Sequence, residues 1–314
     1  MPLLAYSKVE TILDSLKFYI KANLRDSQKI IRTVKAGLID ERDELPMITI
    51  LPILETSNIG FNNGLFSVDR TFRIDIIDKA FKIEDIRESL KRKVIALNKL
   101  FTTETLGWNL LDSNGQIQCF DFELDRERLG EPASVDNFYT QFATIPLTLR
   151  SYLQIDNTQI PTDILEVSLI ELLDYLFAEA KTQFPVFETR WRDIVKPASM
   201  ENFPALGIFI QEPNDDKLAR TSTTFEDVII IYRIYSSLAT REVAFLNHLR
   251  NIEKVKQWIY ERPCLDGRVD YFKITSIDYG IDSFRKPFQG NEQEYPVFRS
   301  DITTTCSLID FKYA

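Results

Sequence analysis

The hydrophobic and polar positions of the chain follow one pattern twice, first over residues 1–156 and again over residues 157–314. Each half begins with an amphipathic helix and two strands, and then repeats a helix and two strands. The six elements recur in the same order at a shift of about 156 positions. Agreement of one helix could arise by chance, but agreement of six ordered elements predicts two domains of one kind.

The first helix of each half is predicted from apolar residues at helical spacing. In the first half these are Val9, Ile12, Leu13, Leu16 and Ile20. Ser7 and Glu10 have the spacing of a capping box at its start. In the second half Asp163 and Glu166 take the cap positions, and the stripe is broken only at Ser168. Its members are Leu165, Leu169, Leu172 and Leu176.

A proline opens the first strand of each half. Leu45-Pro46 and Phe203-Pro204 each precede a short apolar run. Proline is tolerated where a strand begins, because its missing N–H need not enter the hydrogen-bond ladder there. Near the end of each half, Tyr139 and Phe142 lie 156 positions before Tyr295 and Phe298.

The second strand differs in character between the halves. Residues 68–77 alternate apolar and polar, which predicts one buried and one solvent face. Residues 225–235 are apolar nearly throughout, which predicts a strand covered on both faces. The remaining elements are helices over 84–101 and 241–260 and strand pairs over 117–124 with 142–149 and over 271–279 with 298–309.

These elements predict an α+β protein of two similar domains, 1–156 and 157–314. Each domain has the order helix–strand–strand–helix–strand–strand, with an antiparallel or mixed sheet packed by helices. A length of 314 residues also exceeds the usual size of a single core. The polar stretch 154–162 is the predicted boundary. No apolar run approaches the ~20 residues that span a bilayer, and no secretory signal pattern is present, so no membrane association is expected.

Cysteine content and charge narrow the classes of function. Cys119, Cys264 and Cys306 have no C-x-x-C spacing, so reduced, partly buried thiols are expected rather than a disulfide framework or a zinc site. The formal net charge is −9, and both halves are mildly acidic. A surface that grips nucleic acid would instead carry a basic stripe.

The sequence offers little for catalysis. Its one histidine, His248, lies in a predicted helix between Asn247 and Arg250, which indicates an exposed or rim position with no nucleophile beside it. No glycine-rich phosphate loop is present. We therefore expect a protein that is not an enzyme and that needs no cofactor.

Two charged groups remain as candidate sites. Asp121, Glu123 and Asp125 alternate along one predicted strand, which places all three carboxylates on one face. Three oxygen donors could hold a hard cation, but neighbours along a strand do not converge, so a solvated face is the favoured interpretation. The densest basic region is interleaved with acidic residues and indicates a salt-bridged solvent face; it comprises Arg70, Arg73, Arg87, Lys91, Arg92 and Lys93.

Long connections at matching places in both halves are typical of contacts beyond the domain. The first strand pair is joined by 56–67, with Asn62, Asn63 and Gly64 at its tip, and by 213–224, with Lys217 and Arg220. The second pair is joined by 125–137 and by 280–294, the latter with Arg285 and Phe288. Trp191, between two arginines in a helix-to-strand connection, is another predicted partner contact, whereas Trp258 lies on a helix stripe and is predicted to be core.

This layout resembles the tail terminator family and the related tail-completion and neck proteins of long-tailed phages. Proteins of that family have one small α+β domain and assemble as rings that cap the tail tube and meet the head connector. The resemblance covers each half separately, so the chain looks like two such domains in tandem, and it is topological, since no short signature defines the family.

The resemblance implies a structural virion protein, assembled in the host cytoplasm, that forms a ring of three or six copies. Its partners would be the tail tube protein and the connector or stopper proteins, and DNA would pass the pore without specific binding. Asp121, Glu123 and Asp125 would be the pore-facing carboxylates. The alternatives are another tail component, at the baseplate or sheath, a host-factor binding module, and a metal-dependent enzyme using those three carboxylates.

Overall fold

The structure is a computed structural model. It describes residues 8–39, 43–58, 65–102, 110–111, 118–135, 137–154, 167–192, 202–211, 225–237, 241–269, 271–288 and 291–309. These residues form four α-helices and 12 β-strands, so the predicted α+β class is confirmed. They group into two compact units. Unit 1 is Met1–Gly60 with Leu65–Gln154, and unit 2 is Phe61–Gly64 with Ile155–Ala314.

Unit 1 is a sheet with two α-helices. Its elements are α1 (Val9–Ile20, continued by π-helical Lys21–Ser27), β1 (Thr33–Ala36), β2 (Met47–Asn58), β3 (Leu65–Ala80), α2 (Ile83–Leu100), β4 (Asp121–Leu124), β5 (Arg128–Leu129), β6 (Ala133–Val135) and β7 (Phe138–Gln154). The strand order is β1-β2-β3-β7-β4. β1 runs parallel to β2 and the other neighbours are antiparallel, with β5 and β6 also paired to β7.

The core of unit 1 follows the predicted periodicities. All five residues of the α1 stripe are buried. The helix begins after Lys8 without a side-chain cap, and Ser7 lies outside the described residues. Along β3 the alternation is also confirmed, because the even-numbered apolar residues from 68 to 76 are buried and α2 packs on β3 and β7. The buried residues of β3 and α2 are Val68, Phe72, Ile74, Ile76, Ile86, Leu90, Val94 and Leu97.

Unit 2 has the same strand order and directions as unit 1. Its elements are α3 (Leu169–Gln183), β8 (Thr189–Trp191), β9 (Ala205–Gln211), β10 (Phe225–Ser237), α4 (Arg241–Tyr260), a short 3-10 turn (Leu265–Gly267), β11 (Phe272–Phe288) and β12 (Asn291–Ile309). The order is β8-β9-β10-β12-β11. β8 is parallel to β9, and the other neighbours are antiparallel.

The predicted start of α3 is wrong. Ser168, which interrupts the predicted stripe, is the N-cap: its hydroxyl accepts from the Glu171 N–H, and the Glu171 carboxylate accepts from the Ser168 N–H. A serine can take this role because its side-chain oxygen replaces a missing helical acceptor. Leu172 and Leu176 are buried as predicted. Asp163, Leu165 and Glu166 lie outside the described residues.

The strand registers correct the shift of 156 positions. Met47 pairs with Ile77, and Ala205 with Tyr235, a shift of 158 at both ends. Ile77 in turn pairs with Phe142, but Tyr235 pairs with Arg299, so β7 and β12 correspond at a shift of 157. A slip of one residue reverses the face of a side chain. For this reason Phe142 is exposed while Phe298, its counterpart at 156 positions, is buried.

The structure confirms the predicted prolines at the strand starts and corrects the predicted burial of β10. Pro46 and Pro204 directly precede β2 and β9, as predicted, and both follow cis peptide bonds. On β10, however, only one face is fully buried: Val228, Ile230, Tyr232 and Ile234 are buried, whereas Ile229 and Ile231 are half-buried. The sheet of unit 2 therefore has one covered face, against which α4 packs, and one more open face.

Candidate functional site

The predicted carboxylate row lies on the outer face of the unit 1 sheet. Asp121 and Glu123 are exposed, with Phe122 and Leu124 half-buried on the opposite side of β4, so the predicted alternation is confirmed. Asp125 follows the strand and is also exposed, and its backbone N–H donates to the carbonyl of Pro146. β4 is held antiparallel to β7, where Arg150 is the register partner of Asp121.

A single guanidinium occupies the middle of this row. Arg150 Nη1 lies 2.7 Å from Asp121, Nη2 lies 3.5 Å from Glu123, and Nε lies 3.5 Å from Asp69 on β3. The hydrogen bond to Asp121 raises the pKa of Arg150, and the charge of Asp69 adds to this effect. Three carboxylates around one arginine leave a local charge of −2.

The arrangement does not fit a metal centre. Side chains two positions apart on a strand are spread along a line about 7 Å apart, and here the space between them holds a cation already. Over the described ranges of the chain, no group of three His, Cys, Asp or Glu side chains could hold a metal ion. The interpretation of these residues as a solvated polar face is the one that the geometry favours.

The basic region divides into an exposed and a buried part. Arg92 pairs with Glu88, and Arg73 pairs with Asp75 at 2.9 Å, on solvent-facing surfaces as expected. Arg87 and Lys91 are exposed. The expectation is wrong for Arg70 and Lys93, which are buried. Lys93 donates to Asp78 at 2.6 Å and to Ser89 at 2.6 Å.

Arg70 forms a buried ion pair on the inner face of the sheet. Its Nε lies 3.0 Å from the Glu55 carboxylate, and its Nη1 donates to the Ser151 hydroxyl. Both charged side chains are almost fully buried. The alternation itself contained the signal, because Arg70 shares its parity with Val68 and Phe72. A charge in that register must be paired to be tolerated in the core.

His248 was expected at an exposed position, and the structure contradicts this. The side chain is 2% exposed and lies between two serines, with Nδ1 2.9 Å from Ser236 Oγ and Nε2 2.9 Å from Ser300 Oγ. Asn247 and Arg250 are indeed exposed, but they lie on the other side of α4. Both ring nitrogens are satisfied by hydroxyls, and the site is closed to solvent, so the histidine serves packing rather than acid–base chemistry.

The burial of His248 predicts an acid-sensitive stability. Burial lowers the pKa of His248 from 6.5 to about 3, so the folded protein resists the proton that the unfolded chain accepts. The stabilisation is fully present above pH 6.5 and is lost progressively as the pH falls toward 3. We expect the free energy of unfolding to fall by up to about 1.4 kcal/mol per pH unit from this residue. Urea unfolding between pH 7 and pH 4.5 measures the slope.

The control for this prediction is His248→Gln, which cannot titrate. Whatever its stability at pH 7, its free energy of unfolding should depend on pH less steeply than that of the wild type, by about one proton between pH 6.5 and 4.5. Equal slopes for the two proteins in that interval would contradict the assignment of a buried neutral histidine.

Trp191 is a core residue, which contradicts its prediction as a partner contact. It lies on β8, is 8% exposed, and its ring stacks on Tyr235 at 5.9 Å between centroids. Ala205 and Val297 complete the cluster. The side chain covers Gly207, where β9 offers no side chain of its own. Trp258 is buried, as predicted, with its ring edge-to-face to Phe184.

Two glycines support aromatic rings in this way and should respond differently to alanine. A Cβ at Gly207 would overlap the Trp191 ring, and a Cβ at Gly130 would overlap the Phe142 ring. Trp191 is enclosed and Phe142 is half exposed, so only Phe142 can swing aside. We expect Gly207→Ala to cost about 1–3 kcal/mol and Gly130→Ala to cost much less. Thermal unfolding of both variants measures the difference, and equal losses would contradict it.

The predicted connecting arms fall partly outside the described residues. Asn62, Asn63, Gly64, Lys217 and Arg220 all lie outside them. The prediction of a loop over 280–294 is wrong, because β11 and β12 pair in continuous register from Gly280↔Arg299 to Phe288↔Asn291. Arg285 and Phe288 are strand residues of this hairpin. The loop was predicted from the wide spacing of the two apolar runs alone, and the structure instead continues both strands through it as a paired ribbon.

The 125–137 link is also structured, through β5 and β6, and it borders an apolar surface that the sequence did not predict. Phe81, Phe138 and Phe142, together with Lys79, form what we call the aromatic patch. Phe81 is 73% and Phe142 is 49% exposed. The Phe81 and Phe138 rings lie 4.5 Å apart, and Lys79 Nζ lies 5.4 Å from the Phe138 centroid. Grouped exposed aromatic side chains of this kind are typical of interaction surfaces.

The three cysteines are free thiols, as expected, with Cys119 and Cys306 buried. Burial raises the pKa of Cys119 to about 11, so this thiol is not a reactive thiolate. Among the described helices, none is both long and apolar enough to cross a membrane. No protein-family model matches the sequence, and comparison with curated proteins finds no significant match.

Proposed function

We propose that this protein is a structural virion protein that forms a ring at the head-proximal end of a phage tail. In this role it caps the tail tube, joins it to the head connector or stopper proteins, and lets DNA pass. The two units arise by tandem duplication of one tail-terminator-like domain, 1–156 and 157–314. The protein acts by assembly and not as an enzyme.

The observation that carries the proposal is the shared topology of the two units. Each has a first helix, a short strand parallel to its neighbour, an antiparallel strand pair, a second helix and then the remaining strands. The spatial orders β1-β2-β3-β7-β4 and β8-β9-β10-β12-β11 are equivalent. The registers among β2, β3 and β7 match those among β9, β10 and β12 to within one residue, at shifts of 157 and 158. The last pair differs, since Phe122 pairs with Leu149 and Phe272 pairs with Cys306, at shifts of 150 and 157. Two similar modules per chain suit a closed ring, since three chains supply six modules and six chains supply an inner and an outer set.

Long strand ribbons also support assembly. β11 and β12 contain 17 and 19 residues, and β3 contains 16, whereas strands of globular domains usually have about 5–6. Ribbons that extend past the helix-covered part of a sheet can pair with or lie across a neighbouring subunit. Arg285 and Phe288 lie near the tip of the β11–β12 ribbon and are proposed interface residues.

The charge of the molecule suits a passage for DNA. The chain carries a net charge of −9, and the outer face of unit 1 has the acidic group around Arg150. DNA binds weakly to a surface of this kind, because affinity for the phosphates requires a line of lysines and arginines to neutralise them. We propose Asp121, Glu123 and Asp125 as carboxylates that face the pore.

Electron microscopy of the purified protein, alone and mixed with tail tubes, tests the proposal. We expect ring-shaped particles, and we expect them at one end of the tube. A protein that stays monomeric and does not bind the ends of tail tubes would argue against this function. Rings found at the baseplate or along a sheath instead would place the protein elsewhere in the tail, which is the nearest alternative.

A further inference from the structure

We propose that acid weakens the packing of α4 on the sheet of unit 2 through the contact of His248 with Ser236 and Ser300, which we call the histidine contact. Unit 1 has an ion pair at the equivalent place, between Lys93 and Asp78. Over the same pH range we expect the packing of α2 in unit 1 to stay intact. The histidine contact therefore makes unit 2 the acid-sensitive half of the chain.

The histidine contact joins one helix to two strands. His248 lies on the face of α4 that packs against the sheet, with Nδ1 2.9 Å from Ser236 Oγ on β10 and Nε2 2.9 Å from Ser300 Oγ on β12. The ring also stacks on Phe298 of β12, with centroids 5.7 Å apart. A neutral imidazole has one N–H donor and one acceptor nitrogen, so two hydroxyls satisfy it completely.

A proton on His248 disrupts this arrangement in two ways. An imidazolium has two donors and no acceptor, so the hydroxyl that donates to the neutral ring loses its acceptor. The proton also places a full charge in a core where the side chain is 2% exposed, and such a charge is tolerated only when it is paired. Because an imidazole in water accepts the proton more readily, acid favours the state in which α4 has moved away from the sheet.

The surroundings of His248 offer the proton no compensation. Burial alone lowers the pKa of His248 to about 3, and no charged group among the described residues contributes to this shift. The titratable side chain that β11 places on the same face is Tyr279, which is in register with Ser300. The nearest charged side chains are paired among themselves: Arg233 and Arg299 with Asp301 on the opposite face of the sheet, and Glu253 with Lys256 further along α4.

Unit 1 has a different contact at the same place in its sheet. The strand registers relate Ser236 on β10 to Asp78 on β3 at the shift of 158. Asp78 accepts from Lys93 of α2 at 2.6 Å, and both side chains are buried. An ammonium and a carboxylate are charged already, and groups of these types take up no proton at the pH where a free imidazole does. The second helix of each unit is thus held by a polar contact, and the contact that acid breaks is the one in unit 2.

Hydrogen exchange of the full-length protein, followed by mass spectrometry at pH 6.5, 5.5 and 4.5, tests the proposal. Peptides from α4 and α2 are measured in the same sample, and each rate is corrected for intrinsic exchange at that pH. We expect exchange of the α4 amides to accelerate by up to about tenfold for each pH unit below 6.5, and exchange of the α2 amides to change much less. Equal acceleration in the two helices would overturn the proposal.

His248→Gln separates proton uptake from a purely structural role. Glutamine cannot titrate in this range, and its amide has both a donor and an acceptor for the two serines. A histidine that served packing alone would change α4 exchange by one factor at every pH. The proposal instead requires a smaller pH dependence of α4 exchange in the variant than in the wild type. The same pH dependence in both proteins would contradict it.

Ser236→Asp supplies the carboxylate that unit 1 has at this place in Asp78. A carboxylate beside an imidazole favours the charged ring, so His248 is already protonated and paired at pH 6.5. We expect α4 exchange in this variant not to accelerate as the pH falls to 4.5. Acceleration as steep as that of the wild type would overturn the histidine contact as its cause. If the larger side chain prevents folding at neutral pH, the comparison with His248→Gln decides.

Discussion

Replacement of Arg70 by methionine will lower the free energy of unfolding by about 3–5 kcal/mol. The substitution removes the guanidinium that lies 3.0 Å from the Glu55 carboxylate, so that this buried charge loses its ion pair with Arg70. The Ser151 hydroxyl also loses its donor. The cost comes from desolvation of the remaining charge rather than from the lost attraction. Denaturant unfolding of the variant at pH 7 measures it.

Two comparisons identify the cause of this loss. Arg92→Met breaks an exposed pair with Glu88 and should cost less than about 1 kcal/mol, because water screens that pair. The double variant Arg70→Met with Glu55→Leu should recover much of the stability, since it buries no charge. A single Arg70→Met variant as stable as Arg92→Met would show that Arg70 is not part of the core.

Replacement of Trp191 by alanine will lower the free energy of unfolding by about 3–5 kcal/mol. The indole fills the space above Gly207, where β9 has no side chain, and it stacks on Tyr235. The indole N–H makes no hydrogen bond within the described residues. Trp191→Phe should therefore cost much less, since it keeps the apolar contact and loses no hydrogen bond. Thermal and denaturant unfolding compare the two variants.

The same variants separate a core role from a partner contact. If Trp191 were an exposed contact residue, as its position between two arginines suggested, Trp191→Ala would leave stability unchanged and weaken assembly. A stable but unassembled Trp191→Ala variant would contradict its place in the core of unit 2.

Periodic elements were predictable from the sequence because burial imposes a period on them. The α1 stripe from Val9 to Ile20 and the alternating apolar residues of β3 around Phe72 are buried in a hydrophobic core, so both predictions were confirmed. The prolines before β2 and β9 marked strand starts for a simple reason, since proline lacks a donor for the ladder. These signals are local, and the structure preserves them.

The errors arose where a residue's environment is set by distant parts of the chain. Arg70 is polar, yet its position in the alternation of β3 places it on the buried face. Its contacts with Glu55 and Ser151, 15 and 81 positions away, make that burial tolerable. His248 is buried against Ser236 on β10 and Ser300 on β12, which bind its two ring nitrogens. Both serines are distant from His248 in sequence. The aromatic patch depends on the folding of 125–137 against β7. No window of sequence shows such contacts.

The native mass of the purified protein tests the central claim most directly, namely that two like modules in each chain assemble into a closed ring. Mass spectrometry under native conditions, or light scattering after size exclusion, should give three or six times the chain mass of 36.5 kDa. Particles of that mass should appear as rings in electron micrographs. A mass of one chain at every concentration examined would contradict the account.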